Sequence, residues 1–137
     1  MKFIPSENIK ILLLPNQVDE LCSSDIIAKI SKKEGVVSFD IYDDDLLIGF
    51  AQMHEFEKNS FFLWNYAIDY KYQNKGYGVK ALIELIDYMK SNYNLKIMTT
   101  TYLFGNNHAK HVYEKVGFIE TDVVDEDGCH EVNMIYK

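Results

Sequence analysis

The chain has 137 residues, of which 47% are apolar, and it carries a formal net charge of −7. This length and apolar content predict a single folded domain over residues 1–137 with a sizeable core. The acidic balance disfavours a nucleic-acid partner, which needs a basic face, and the apolar runs are far shorter than the roughly 20 residues that span a bilayer, so no membrane partner is expected.

The N-terminal residues lack the apolar segment of a secretory signal, so we expect a cytoplasmic protein. Its two cysteines, Cys22 and Cys129, have no metal-binding spacing. In a reducing compartment both should be free thiols, with a single long-range disulfide as the alternative.

The N-terminal quarter predicts one strand and two helical segments. The apolar run Ile9–Pro15 predicts a short buried strand that ends at its proline. Asn16 can then cap a first helix, and a second helix can begin at Ser23 or Ser24 and close at Gly35. The apolar faces of these two helices consist of Val18, Leu21 and Cys22 in the first and Ile26, Ile27 and Ile30 in the second.

The next elements predict three strands. Val36–Tyr42 and Leu46–His54 flank the acidic turn Asp43–Asp45 and predict a β-hairpin with a solvated tip. Phe61–Asp69 is apolar almost throughout, which is typical of a strand buried on both faces.

The C-terminal half predicts two helices, a strand between them and a final hairpin. The clearest amphipathic helix has its apolar face at Ala81, Leu82, Leu85, Ile86 and Met89. A strand over Leu95–Leu103 follows, and Asn106 can cap a short helix that Gly117 ends. A hairpin around Asp125–Gly128 closes the chain. The order β–α–α–β–β–β–α–β–α–β–β predicts an α+β fold, a mixed sheet with helices packed on it.

The stretch Tyr72–Gly78, YQNKGYG, follows a strand and opens the amphipathic helix. Backbone N–H groups at such a helix N-terminus can bind phosphate, and Lys75 and Lys80 add positive charge. The stretch does not have the Walker A spacing. A dinucleotide fingerprint is disfavoured as well, because Ala81 replaces its third glycine, three strands precede the turn, and the next strand ends without an acidic residue. A plain glycine-containing loop is the alternative.

Two blocks together resemble the GNAT family of N-acetyltransferases. Ala67–Leu82, AIDYKYQNKGYGVKAL, resembles the family's motif A, [QR]-x-x-G-x-[GA] after a strand. Asn106–Phe118, NNHAKHVYEKVGF, resembles its motif B, N-x-x-A-x-x-x-Y-x-x-x-G-F. The resemblance extends over Val36–Lys137, and within the family it is greatest to bacterial spermine/spermidine-type acetyltransferases.

The resemblance implies an acyl-CoA N-acyltransferase fold, a central mostly antiparallel sheet flanked by helices, with acetyl-CoA as co-substrate and no metal. Acetyl would pass directly to a primary amine. Backbone N–H groups would hold the pyrophosphate, the backbone at Ala67 and Ile68 would polarise the thioester, Asn106 would bind the pantetheine arm, and Tyr113 would protonate the departing thiolate. The residues assigned to the cofactor in this way are Ala67, Ile68, Gln73, Asn74, Lys75, Gly76, Tyr77, Gly78, Val79, Asn106, Lys110 and Lys115.

The sequence departs from the family where an acid is often found, on the strand before motif A. Trp64 and Asn65 stand there and are candidate substrate contacts. Glu55 and Glu57, at the end of the preceding strand, are candidate bases acting through water. Trp64 could instead be core or cleft wall, and cation–π binding of an amine is its functional alternative.

Core packing is the alternative role of Tyr113. His108 and His111 have no third ligand nearby in sequence, so a metal site is not expected there.

A polyamine is the first substrate expected from the resemblance, and a small cationic amine is the expected partner. Antibiotics and protein N-termini are alternative acceptors. A non-catalytic acyl-CoA-binding or regulatory module and another kind of nucleotide-binding domain are the rival classes. By analogy with the family, a homodimer is possible.

Overall fold

The computed structural model describes residues 1–13 and 21–137, and one seven-stranded sheet forms its centre. The strands are β1 (Lys2–Pro5), β2 (Val36–Asp43), β3 (Leu46–Glu57), β4 (Ser60–Ile68), β5 (Ile97–Leu103), β6 (Ile119–Glu126) and β7 (Cys129–Tyr136). The helices are α1 (Ser24–Ser31), α2 (Tyr77–Tyr93) and α3 (Asn107–Val116), and a 3-10 helix covers Tyr70–Tyr72.

The strands lie in the order β1-β2-β3-β4-β5-β7-β6. β4 and β5 are parallel, and every other neighbouring pair is antiparallel. This confirms the predicted α+β fold with a mixed, mostly antiparallel sheet flanked by helices. None of the described helices is long and apolar enough to cross a membrane.

The core lies on both faces of the sheet. The larger cluster includes the predicted apolar face of α2, the buried side of α3 and one face of the sheet. A smaller cluster joins Ile27 of α1 and Ile11 to Phe50 and Ala67 on the other face. Because successive side chains of a strand point to opposite faces, β4 contributes to both clusters, as its apolar sequence predicted.

β4 and β5 part soon after they pair. Their ladder joins Ser60–Phe62 to Ile97–Thr99, and no further pairs between them occur in the described structure. Trp64 is an extra residue in β4, because Asn65 pairs with Gln52 of β3 while Leu63 pairs with Met53. Such a bulge bends a strand and increases its twist. The carboxyl end of β4 therefore diverges from β5 and leaves a gap in the sheet.

The first predicted strand, Ile9–Pro15, is wrong over its described part. Residues 9–13 form no strand, and the N-terminal edge strand is Lys2–Pro5 instead. The backbone of Leu12 finds partners outside the sheet: its N–H donates to Asp69 Oδ2 at 3.0 Å, and its carbonyl accepts from the N–H of Tyr70 at 3.0 Å. The predicted helix that starts at Asn16 falls largely on residues 14–20, which lie outside the described residues.

The other predicted elements are confirmed with small shifts of their ends. Ser23 caps α1, and Asn106 caps α3, as predicted. Gly117 ends α3, with a φ of 121°. The strand predicted from Leu95 begins at Ile97, and the final turn is shorter than predicted because its strands extend to Glu126 and from Cys129. Cys22 and Cys129 are free, so the alternative disulfide does not form.

Candidate active site

A cleft of about 660 Å³ lies between the carboxyl end of β4 and the segment that follows β5. The N-terminal ends of α2 and α3 also border it. The residues that line it are Leu21, Tyr66, Ala67, Ile68, Gln73, Asn74, Gly78, Phe104, Gly105, Asn106, His108, Ala109, Val112 and Tyr113. The structure thus brings together predicted site residues from both motifs, which are far apart in the sequence.

The loop between β4 and α2 is held by its own side chains. Asp69 Oδ1 accepts from the N–H of Lys71 at 3.0 Å, and Gln73 Nε2 donates to the carbonyl of Ile68 at 3.0 Å. Asn74 and Gly76 both adopt left-handed backbone, with φ of 60° and 83°. Asn and Gly are the residues that tolerate this conformation best, so the turn predicted for this stretch forms.

The N-terminus of α2 lacks a side-chain cap. Gly76 is its N-cap residue and makes no side-chain hydrogen bond, and the first helical bond runs from the N–H of Lys80 to the carbonyl of Gly76. The N–H groups of Tyr77, Gly78 and Val79 therefore have no acceptor within the helix. With the positive end of the helix dipole, they form the kind of site that binds phosphate.

The N-terminus of α3 differs because its own side chain occupies it. Asn106 Oδ1 accepts from the N–H of Ala109 at 3.1 Å. The same residue lines the cleft, since Gly105 turns the chain there with a φ of 88°. Asn106 is thus both the helix cap that the sequence predicts and a polar group at the cleft.

Helices α2 and α3 meet at Gly78. A Cβ atom at this position would lie 3.5 Å and 3.8 Å from the two γ-carbons of Val112, which is ordinary van der Waals contact. The carbonyl of Gly78 accepts a hydrogen bond from the Tyr66 hydroxyl at 2.7 Å. The cleft wall is therefore fixed where β4, α2 and α3 come together.

Tyr66 and Tyr113 bring two phenols to the cleft. Burial raises the pKa of Tyr66 well above its ordinary value, and the nearby Tyr113 raises it further. Tyr113 is 8% exposed, and its ring contacts Phe118 at 5.5 Å between centroids. A protonated phenol can donate a proton to an anion beside it. Tyr113 therefore both packs in the core and borders the cleft, so its two predicted roles are compatible.

Several predicted cofactor residues lie beside the cleft without lining it. Lys75 sits over the ring of Tyr72, 6.0 Å from its centroid. The carboxylate of Asp43 in the acidic hairpin lies near Tyr77 and, together with burial, raises the pKa of that phenol. The acidic tip is thus not wholly solvated. The predicted residues Gly76 and Val79 belong to this same helix start, Gly76 as the N-cap residue and Val79 in the first turn.

The two lysines of α3 that were assigned to the cofactor do not line the described cleft. Lys110 lies 3.8 Å from Glu120, an acidic partner on β6. Lys115 is exposed in the last turn of the helix, about 12 Å along the axis from its start at 1.5 Å per residue. Lys115 lies about one turn beyond Val112, the residue that faces Gly78 of α2.

The predicted substrate contacts do not line the cleft. Trp64 is 39% exposed at the bulge, and its ring lies 6.3 Å from that of Phe62, so it is neither core nor cleft wall. Asn65 is buried and bonded within the sheet. Glu55 and Glu57 pair with Phe61 and Ser60 at the amino end of β4.

These two glutamates lie far from the part of the cleft that Ala67 lines. From Phe61 to Ala67, β4 extends about 20 Å at roughly 3.3 Å per residue. One water cannot bridge that distance. The sequence placed both residues at the end of a strand correctly but could not show which end of the sheet carries the cleft.

Several lining residues had no site role that the sequence predicted. Ala109 and Val112 do lie on the apolar face of motif B, but they were not expected at a cleft. Tyr66 belongs to an aromatic strand, which indicated only core. Leu21 comes from the N-terminal segment, far away in sequence, and no local pattern marks it.

The titratable side chains that line the cleft in the described chain are Tyr66, Tyr113 and the exposed His108. No carboxylate is among the described lining residues. Within residues 1–13 and 21–137, no three His, Cys, Asp or Glu side chains come together as a metal site would require.

The chain matches the family model described as "Acetyltransferase (GNAT) family" over residues 9–118. This match begins earlier than the resemblance of Val36–Lys137 and includes most of the N-terminal segment. No curated protein matches the chain.

Solved structures share the fold. A GNAT family acetyltransferase from Elizabethkingia anophelis with acetyl-CoA bound has a TM-score of 0.72 and 19% identity, covering 98% of this chain and 95% of that one. A variant of a spermidine N-acetyltransferase from Vibrio cholerae has a TM-score of 0.69 and 21% identity, covering 82% and 71%. A dodecameric structure of the Vibrio cholerae enzyme has a TM-score of 0.65 and 21% identity, covering 82% and 71%.

The family model covers well over half of the chain, and the uncapped helix start and buried tyrosine lie in the stretch that it matches. The chain therefore belongs to the GNAT family and is an acetyl-CoA-dependent N-acetyltransferase.

Proposed function

We propose that this enzyme acetylates a primary amine of a small cationic acceptor, first of all a polyamine such as spermine or spermidine. The observation that carries the reaction is one cleft that contains both the uncapped start of α2 and the phenol of Tyr113. Two observations support a cationic acceptor: the net charge of −7, and the likeness to an enzyme described as a spermidine N-acetyltransferase.

The described residues fit the phosphate end of acetyl-CoA at the α2 end of the cleft. The N–H groups of the first helical turn can donate to the pyrophosphate, and so can those of the Gln73–Gly78 loop. Gly78 lines the cleft and has no side chain that would cover its backbone. Lys75 and Lys80 are exposed at this helix start and supply the local positive charge that an acidic protein needs.

The acetyl end fits the other part of the cleft. In this proposal Asn106 hydrogen-bonds the pantetheine arm, and the backbone at Ala67 and Ile68 holds and polarises the thioester carbonyl. Tyr113 donates a proton to the leaving thiolate. In this proposal water takes the proton that the amine must lose before it attacks.

We also propose self-association, at least to a homodimer, in the cytoplasm. Ile119 and Val123 of β6 are 69% and 55% exposed, which leaves apolar surface at this edge of the sheet. The Vibrio cholerae relative forms a dodecamer. Light scattering coupled to size exclusion measures the mass directly, and a mass of 16.0 kDa at micromolar concentration would rule out a stable assembly.

A panel of acceptors with a thiol-release readout tests the reaction and the acceptor class together. The panel contains spermine, spermidine, an aminoglycoside and a peptide with a free N-terminus. We expect turnover of the polyamines to exceed that of the other two. If the aminoglycoside or the peptide is turned over faster, that compound's class replaces polyamines as the proposed acceptor. If acetyl-CoA binds but no amine is turned over, the non-catalytic alternative is favoured.

A further inference from the structure

Two buried amides are bonded to each other on the face of the sheet that α1 covers. Gln52 of β3 is 0% exposed and Asn65 of β4 is 1% exposed. Asn65 Nδ2 donates to Gln52 Oε1 at 2.8 Å. Burying two amides is unfavourable unless their remaining polar atoms also find partners. The partners of Gln52 Nε2 and Asn65 Oδ1 therefore show what this pair holds in place.

The Gln52 end of the pair is bonded to α1 and β2. Its Nε2 lies 3.1 Å from the carbonyl of Ile27, 2.9 Å from Ser31 Oγ and 3.2 Å from Ser38 Oγ. Two hydrogens are thus shared among three acceptors. This end fixes α1 against the sheet.

The Asn65 end is bonded to the segment before α1. The N–H of Cys22 donates to Asn65 Oδ1 at 3.1 Å. Cys22 lies outside regular secondary structure, so this bond is a direct link between the N-terminal segment and β4. Leu21, the adjacent residue, lines the cleft.

Leu21 approaches the cleft from the face opposite α2 and α3. It packs on the cluster that contains Ile27 and Ala67, whereas Val112 and Tyr113 belong to the cluster on the other face. If α2 and α3 hold acetyl-CoA, the amine must reach the thioester carbonyl from the side that Leu21 borders.

We infer that Asn65 is a positioning residue for the amine acceptor: it holds Leu21 as the wall of the acceptor side through its bond to the backbone of Cys22. This inference rests on the proposed function for the identity of the two sides of the cleft. It also replaces the sequence-based expectation that Asn65 contacts the substrate itself.

The first test does not depend on activity. The labelling rate of the Cys22 thiol, measured by peptide mass spectrometry, reports how often the segment leaves the sheet. Asn65→Ala should raise that rate about tenfold, the value of one or so hydrogen bonds. Cys129, in the β6–β7 hairpin, should keep its rate if the fold as a whole is intact.

Asn133→Ala is the matched control. Asn133 makes side-chain bonds to Thr101 and Asp122 on the far part of the sheet, so this variant loses a half-buried amide with two side-chain bonds, away from Cys22. It should leave Cys22 labelling within about twofold of the unaltered protein, as expected for distant sites. An equal increase in both variants, or none in Asn65→Ala, would contradict the inference.

The second test uses the acceptor identified by the panel. In Asn65→Ala the KM for the amine should rise about tenfold, while the Kd for acetyl-CoA and kcat change less than about threefold. A purely structural role would instead lower the active fraction, and hence kcat, without changing the KM of the amine. Faster Cys22 labelling with an unchanged amine KM would leave the bond real but overturn its role in acceptor binding.

Two further results, an inactive unaltered protein and a variant that does not fold, still leave the inference testable. If no amine is acetylated by the unaltered protein, the proposed function fails, and the labelling result still tests the Cys22–Asn65 link. If Asn65→Ala does not fold, hydrogen exchange of the unaltered protein decides. The Cys22 amide should then exchange far more slowly than a free amide, and exchange at the free rate would overturn the inference.

Discussion

At the scale of single residues, the cleft combines two tyrosines that have different partners. Tyr66 donates its hydroxyl to the carbonyl of Gly78, so this phenol is used to hold α2. Tyr113 reaches the cleft from α3, one turn beyond Ala109. Of the two, Tyr113 is the one that our proposal assigns to proton donation.

Tyr113→Phe should lower kcat about a hundredfold, the usual size of a lost general acid, while the Kd for acetyl-CoA stays unchanged. Steady-state thiol release and calorimetric titration measure the two quantities. Tyr136→Phe is the control, because Tyr136 lies on β7 and its ring packs against Phe118. Unchanged turnover in Tyr113→Phe would leave this residue only its packing role.

Glu55→Gln and Glu57→Gln should leave the pH–rate profile unchanged. Both carboxylates lie at the amino end of β4, about 20 Å from Ala67 at roughly 3.3 Å per residue. Initial rates between pH 6 and pH 10 check this expectation. An acid limb that moves in either variant would restore that glutamate as a base acting over a chain of waters.

At the scale of elements, α2 and α3 begin at the same cleft but differ in whether a side chain caps their first turn. The Asn106 side chain accepts from the N–H of Ala109 at the start of α3, whereas Gly76 leaves the first N–H groups of α2 without a side-chain cap. The two glycines of the motif also differ. Gly76 needs left-handed backbone at φ 83°, while Gly78 is helical and matters for the space at its Cα.

Gly78→Asp should weaken acetyl-CoA binding at least a hundredfold, on the order of the repulsion between close charges in a partly buried site. Gly78→Ala is the matched control, since a Cβ at 3.5 Å from Val112 is tolerated by the fold. Calorimetric titration of both variants gives the comparison. Normal binding in Gly78→Asp would show that the pyrophosphate does not approach this helix start.

At the scale of the whole molecule, one sheet extends through the described chain. β1 at one edge comes from the N-terminus and β7, next to the other edge, from the C-terminus. The larger core cluster includes residues from Phe3 to Met134. A structure connected in this way should unfold as a unit, which is the prediction of a single domain.

Differential scanning calorimetry should therefore show one transition with equal calorimetric and van't Hoff enthalpies. Acetyl-CoA at a hundred times its Kd should raise the Tm by roughly 10 °C, because binding at that concentration stabilises the native state by about 2.7 kcal/mol. Two resolved transitions, with acetyl-CoA raising only one, would divide the chain into separate units.

The elements that could be predicted are those whose signals are local. Asn106 and Ser23 bond to N–H groups three residues away, so their capping follows from the sequence alone. Residues 9–13 were wrongly predicted as part of a strand, because an apolar composition does not show which partners the backbone has. Asp69 supplies one of those partners from far along the chain.

The sequence by itself determined the family, the element order of motifs A and B, and the residues of the turn to which we assign the phosphate. These depend on short spacings and on the backbone preferences of glycine and asparagine. Only the tertiary structure decided which residues meet: it placed Leu21 at the cleft, moved Glu55 and Glu57 to the far end of β4, and bonded Asn65 to Cys22. The physical reason is the parting of β4 from β5 at a bulge, since this gap depends on strand pairings between distant segments that no local pattern specifies.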